Sequence, residues 1–220
     1  WYRSVGTWEA DKARFPNGLR AIADDVHKQG AEFMVWFEPE RVYEGSKLYR
    51  EHPEWLLRNG DSPHCLLNLG NKEACAWLTN YMCNFLEQNA IDHYRQDFNI
   101  GPSPFWEAAD EPGRKGMTQI RYVEGLYAYL DALRERFPDM LIDNCASGGR
   151  RFDLEMIDRS MPLWRTDCHY GEPNCQQCHM YGLSQFLPLS GTGTFHADVY
   201  CTRSSLSSAY AWFGEVFGRT

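Results

Sequence analysis

His93-Tyr94-Arg95-Gln96-Asp97-Phe98-Asn99 continues a short run, Ala90-Ile91-Asp92-His93-Tyr94, that reads as a strand entering a core. Alternation along a strand puts Arg95, Asp97 and Asn99 on one face. A lone aspartate at a strand end caps or forms a salt bridge. A cation, an acid and an amide sharing one face at the tip of a buried strand are arranged for a ligand.

The same organisation repeats outward from this stretch. Upstream, Pro16-Asn17-Gly18 opens a helix through Lys28 that Gly30 ends. Ala31 to Phe37 is bulky throughout and is expected to be a strand buried on both faces, ending at Glu38-Pro39-Glu40-Arg41. A long loop follows, and Cys65 to Leu69 reads as a short strand or a rim extension. Asn71 caps a helix over Lys72 to Gln88, with Ala74, Trp77, Leu78, Tyr81, Met82 and Phe85 on its inner stripe.

Downstream, Gly101 to Gly116 reads as a loop, and Thr118 to Arg136 as a helix with Ile120, Val123, Leu126, Leu130 and Leu133 facing in. Met140-Leu141-Ile142 is a strand leading to Asp143-Asn144-Cys145-Ala146-Ser147-Gly148-Gly149-Arg150. A short helix, Asp153 to Asp158, precedes a strand, Met161 to Trp164, that ends in Arg165-Thr166-Asp167. Gln176 to Phe186 and Ser204 to Val216 read as helices, and Leu187 to Phe195 as a strand with a turn leading to His196 and Asp198.

Strand, polar loop and helix alternate with no hairpin signal, the pattern of an α/β fold with a parallel sheet. Polar clusters sit at every strand end, where such folds bind ligands. The clusters do not converge on one switch point, and no Gly-x-Gly-x-x-Gly turn follows a strand, so a (β/α)8 TIM barrel is expected over an open sheet. The chain begins at Trp1 and stops in mid-flow at Thr220, so the barrel is expected to be incomplete, with its first strands missing.

The 220 residues suit one domain or a large part of one, and 43% are apolar. A net charge of −8 disfavours a nucleic-acid partner. No apolar run approaches the roughly 18 residues that cross a bilayer, so no membrane partner is expected either. Any homo-oligomer is expected to form through the full-length protein. The eight cysteines read as reduced thiols of a cytosolic enzyme.

Carboxylates dominate the strand tips and aromatics line the approach. Sugars suit such a pocket, because acids and amides hydrogen-bond hydroxyls while indole and phenol faces stack on the ring. Two carboxylates flanking a glycosidic bond suffice to hydrolyse it, one ionised and one protonated. Arg95 beside Asp97 favours its ionised form. Asp167, after an apolar strand, is the better proton donor, although neighbouring Arg165 opposes that if it points into the site. Glu38 and Glu40 read as structural, bonding loop backbone or pairing with Arg41.

Four segments in order, Trp36-Phe37-Glu38-Pro39-Glu40, Tyr94-Arg95-Gln96-Asp97-Phe98-Asn99, Cys145-Ala146-Ser147-Gly148-Gly149-Arg150 and Trp164-Arg165-Thr166-Asp167, resemble glycoside hydrolase family 36, the α-galactosidases. The resemblance covers nearly the whole chain. It implies that residues 1–220 are part of a (β/α)8 catalytic domain that hydrolyses terminal α-galactosides of oligosaccharides or glycoconjugates with retention and without a cofactor. It implies a nucleophile at Asp97 and an acid/base at Asp167. By the same match Trp36, Arg95, Asn99, Cys145 and Gly148 line the sugar subsite, and Arg165 joins them beside Asp167. The family usually carries Lys-Trp before the nucleophile, where this chain has Arg95-Gln96.

Other readings stay open at this level. The sugar is galactose or its N-acetylamino derivative, or the barrel binds sugar without turnover. Cys175-Gln176-Gln177-Cys178-His179, with Cys168-His169, matches a haem-attachment or zinc pattern. Nothing else in the chain suggests an electron carrier, and no metal ligand is assigned. Cys145 with His196 forms a nucleophile–base pair only if thiol and imidazole meet.

Overall fold

The computed structural model describes residues 2–163 together with Asp167, Gly182 and Gln185. The chain divides into two compact units after Ile142.

The first unit opens with helix α1, Arg20–Lys28, and strand β1, Met34–Phe37. A short strand β2, Arg41–Tyr43, follows, then helix α2, Lys47–Glu51, and a 3-10 turn, Pro53–Trp55. Strands β3, Leu56–Leu57, and β4, His64–Leu67, precede helix α3, Lys72–Gln88, and strand β5, His93–Gln96. Helices α4, Ser103–Ala109, and α5, Met117–Arg136, lead to strand β6, Ile142–Asn144, and helix α6, Leu154–Arg159, lies beyond it.

β1 and β5 pair in parallel, from Met34 opposite His93 to Phe37 opposite Gln96. The strand order is β1-β5-β6, and the leading end of β6 joins through the Tyr94 N–H donated to Leu141 O. α3 and α5 cover one face. Phe37 meets Phe85 of α3 edge-on at 5.5 Å, and Tyr94 meets Tyr129 of α5 at 6.5 Å. Ala74, Leu78, Met82 and Leu86 of α3, and Leu126, Leu130 and Leu133 of α5, are buried between helices and sheet. Each full leucine burial contributes about 1.5–3 kcal/mol. The Asn71 side chain accepts the Glu73 and Ala74 N–H groups, which is why α3 begins at Lys72.

Several expectations need correction. β1 starts at Met34, because the Asp92 carboxylate takes the Phe33 N–H at 2.7 Å, and Phe33 O accepts from Asp92 and His93. It is not buried on both faces: Trp36 remains 36% exposed. β5 starts at His93, because the preceding residues finish α3. Ala90 takes φ +49°, and the Ile91 N–H returns to Leu86 O. The 101–116 loop contains α4, whose Phe105 and Trp106 are buried. On α5 the inward phenols are Tyr122 and Tyr129, whereas Ile120 is 51% exposed.

A hairpin is also present. β4 pairs antiparallel with both β2 and β3, giving the order β2-β4-β3. Its cue is Asn59-Gly60 between Leu56-Leu57 and Cys65-Leu66-Leu67. Strands of two to four residues are too short to show alternation.

In the second unit, Asp143 and Met161 form a parallel bridge where the 161–164 strand was expected to begin, and Trp164 lies outside the described residues. Asp153 caps α6 through the Met156 N–H. The helices at 176–186 and 204–216 and the strand at 187–195 lie outside the described residues. Cys65, Cys75 and Cys83 are free thiols. Among the described residues no helix is long and apolar enough to cross a membrane.

Two substitutions report on the packing with opposite sign. A Cβ on Gly125 of α5 would overlap the Leu69 carbonyl oxygen, so Gly125→Ala destabilises despite a helix propensity gain of about 1 kcal/mol. Ala90→Gly relieves the left-handed alanine and stabilises by about 0.5–1 kcal/mol. Urea unfolding of each variant measures both.

Candidate active site

The tails of β1 and β5 meet through hydrogen bonds between their backbones and side chains. The Asp97 N–H donates to Phe37 O at 2.8 Å, extending the pairing one residue past the strand. The Asp97 carboxylate accepts the Phe98 N–H at Oδ1 at 2.7 Å and the Trp36 indole N–H at Oδ2 at 3.2 Å. Arg95 pairs with Trp36 across the ladder and is half-buried, while Asp97 retains 9% exposure. Trp36, Arg95, Asp97 and Asn99 therefore belong to one cluster at the carboxyl ends of the two strands.

A second clamp lies one step along each tail. Glu38 and Arg41 are both fully buried. Arg41 Nε donates to Glu38 Oε1 at 2.7 Å and Nη2 to Oε2 at 2.6 Å. The same Oε1 accepts the Asn99 N–H at 2.8 Å, so the pair on the β1 side holds the turn that follows Asp97. Arg41 also donates from Nη1 to Tyr2 O at 3.2 Å and stacks over the Tyr2 ring. Its Nη1 lies 3.3 Å from His64 Nδ1. A guanidinium only donates, so His64 Nδ1 accepts and the ring proton sits on Nε2.

Glu40 is buried as well, and accepts from the Gln96 amide and the Tyr122 hydroxyl, each at 2.8 Å. Glu38 thus pairs with Arg41 as its position suggests, and Glu40 takes partners from β5 and α5. Gln96 and the tyrosines Tyr94, Tyr122 and Tyr129 are participants the sequence pattern did not single out. Hydroxyls and an amide on an apolar stripe look like core fill, and only the alternation of β5 hints that Gln96 faces the helices.

The second unit carries Cys145, Gly148 and Asp167. Asp143 is buried and accepts the Leu163 N–H at 2.9 Å. The Asn144 N–H donates to Met161 O at 3.1 Å, and Asn144 Nδ2 to Arg151 O at 2.9 Å. The bonds to Met161 and Leu163 hold residues 161–163 against the end of β6. Cys145 is buried; Ser147, Gly148 and Gly149 then take φ +46°, +72° and +117° in succession. A Cβ on Gly148 would come within 2.6 Å of Asp167 Cγ, so only glycine lets this turn lie against that exposed acid. Arg165, His196 and the Cys168, His169, Cys175, Cys178 and His179 cluster lie outside the described residues. Among those described, no group of three His, Cys, Asp or Glu side chains is placed to hold a metal ion.

A cavity of about 730 Å³ opens between α3 and α5, lined by Leu69, Cys75, Thr79, Arg121 and Gly125 among others. Its thiol is pushed up by burial and donates to Gly125 O, which makes it a packing thiol.

Removing one partner of the buried pair strands the other. Arg41→Met is expected to cost about 3–5 kcal/mol, and Glu38→Gln combined with Arg41→Met to cost less, by urea unfolding. Burial and the Arg41 charge hold the His64 imidazole below its usual value. The unfolded chain therefore binds that proton first, near pH 6.5, and stability falls as pH drops below this value. His64→Gln is expected to flatten that decline in thermal melts between pH 7 and 5.

A family model described as Melibiase matches residues 2–202. The α-galactosidase Mel36A of Lactobacillus acidophilus is 36% identical over 170 residues, which is 74% of this chain and 23% of that protein. The α-galactosidase AgaA of Geobacillus stearothermophilus is 32% identical over 197 residues, 87% of this chain and 27% of its own length. The crystal structure of an α-galactosidase from Lactobacillus brevis matches with a TM-score of 0.79 at 28% identity, over 90% of this chain and 27% of that one. A family 36 AgaA variant in complex with stachyose matches equally, at 0.79 and 28% identity, over 92% of this chain and 30% of that one. The chain spans about a quarter of the length of the curated relatives it matches. With an acid at the end of β5, an indole donating to it and a family model covering residues 2–202, this chain belongs to the melibiase family, glycoside hydrolase family 36.

Proposed function

We propose that the protein is a retaining, exo-acting α-galactosidase that removes terminal α-galactose from oligosaccharides or glycoconjugates. Asp97 is its nucleophile and Asp167 its acid/base. The observation that carries this reading is the Asp97 carboxylate, which accepts from the Trp36 indole and the Phe98 N–H at a strand end. Relatives support the substrate class: variants of AgaA bind stachyose and raffinose. Residues 1–220 are read as part of a (β/α)8 barrel, because successive strands step in one direction, β1-β5-β6, without the reversal of a doubly wound sheet.

In this mechanism Asp97 attacks the anomeric carbon while Asp167 protonates the departing oxygen. Water, deprotonated by Asp167, then displaces Asp97 and restores the α configuration. The Trp36 indole and the Phe98 N–H aim the Asp97 oxygens. The partly exposed Trp36 face offers a stacking surface for the C–H side of the sugar. Arg95, Asn99, Cys145, Gly148 and Arg165 are assigned to the sugar subsite. The backbone at Gly148 sets the direction of Asp167.

A panel of nitrophenyl α-glycosides tests the reading on the full-length protein. The galactoside is expected to be cleaved, and the N-acetylgalactosaminide and glucoside to be poor substrates. Asp97→Asn is expected to lower kcat by at least about a thousandfold. Asp97→Gly with azide is expected to yield β-galactosyl azide, and undiminished turnover in either variant would overturn the assignment. Gly148→Ala, which drives a methyl into Asp167, is expected to lower kcat at least about tenfold, with the melting temperature as the control for folding.

A further inference from the structure

Behind β5, on the face turned away from Asp97, five side chains form one hydrogen-bond chain. Tyr129 donates to the Tyr94 oxygen at 3.0 Å, Tyr94 to Gln96 Oε1 at 3.1 Å, and Gln96 Nε2 to Glu40 Oε1 at 2.8 Å. Tyr122 donates to Glu40 Oε2 at 2.8 Å from the other side. All five residues are at most 1% exposed. The direction is forced. A carboxylate accepts only, so the Gln96 amide must present its NH2 to Glu40 and its oxygen to Tyr94; Tyr94 then donates and accepts from Tyr129. Burial pushes the Tyr129 phenol well above its usual value, so it stays a donor at working pH.

This chain joins the two strand tails that carry the site. Gln96 directly precedes Asp97, and Glu40 stands between Glu38, which accepts the Asn99 N–H, and Arg41, which donates to Glu38. A buried carboxylate approached by an amide and a phenol is costly where hydrocarbon would pack more stably. A fully satisfied network, in return, gives one geometry where an apolar layer tolerates many.

We infer that Gln96 and Glu40 are positioning residues for Asp97. Their hydrogen bond fixes the roll of β5 about its axis. The Asp97 carboxylate thereby stays on the Trp36 and Phe98 donors. The inference rests on the reading of Asp97 as the nucleophile.

The test is an exchange of the two groups in the full-length protein. Gln96→Glu sets two carboxylates against each other and is expected to lower kcat about tenfold to a hundredfold with KM nearly unchanged. Adding Glu40→Gln restores the three bonds around these groups with the roles reversed: the amide at 40 donates to the carboxylate at 96, which still accepts from Tyr94, while Tyr122 donates to the new amide oxygen. The double variant is expected to return kcat to within about threefold of the parent. Tyr129→Phe, a near-isosteric loss of the farthest donor, is expected to lower kcat with KM and melting temperature nearly unchanged, and it serves where Gln96→Glu does not fold. A folded Gln96→Glu with full kcat, a double variant no better than Gln96→Glu, or an unaffected kcat in Tyr129→Phe would overturn the inference. An active Asp97→Asn would instead overturn the nucleophile assignment, so the two failures are separable.

Discussion

A single carboxylate oxygen, Glu38 Oε1, takes the Arg41 guanidinium and the Asn99 N–H together. On that contact the geometry of the first unit's site depends. Glu38 leaves β1 and Asn99 follows β5, so the oxygen ties together two strand ends that lie far apart in the chain. An exposed ion pair would be screened and contribute little. Buried, its attraction is offset by desolvation, so its main effect is geometric: strong forces at fixed distances hold one arrangement. Arg41 extends that arrangement through Tyr2 O and His64.

The two faces of β5 divide the labour. Arg95 and Asp97 alternate with Tyr94, Gln96 and Phe98, so one face carries the charged pair while the other is sealed by α3 and α5. The sealed face is not purely apolar. It carries the phenols and the amide that end on Glu40, and these approach the site from behind. The hairpin β2-β4-β3 contributes Arg41 and His64 at the register where both are needed. The small antiparallel sheet thus supplies the cation that the parallel sheet's acid requires.

In the second unit the same economy appears in backbone. Three successive residues of positive φ form a turn after Cys145, and Gly148 leaves no room for a side chain beside Asp167. Asp143, which looks like a candidate acid at a strand tip, is instead occupied by the Leu163 N–H. An acid at a strand end is structural when a backbone donor claims it inside the fold.

Local chemistry was legible along the chain. The cap at Asn71, the stripe of α3, the alternation that puts Arg95 and Asp97 together and the strand-to-helix rhythm are all short-range effects, set by residues within a few positions of one another. The ordered motifs at 36–40, 94–99 and 145–150 identify the family for the same reason. The sequence by itself determined these. What only the tertiary structure decided is which partner each polar group takes. Nothing local says that Glu38 holds the Asn99 N–H, that Gln96 reaches Glu40, or that Asp92 captures the Phe33 N–H and shortens β1. Each joins segments more than fifty residues apart. A hydrogen bond is chosen by distance and direction in the folded chain, and those exist only once the strands have docked.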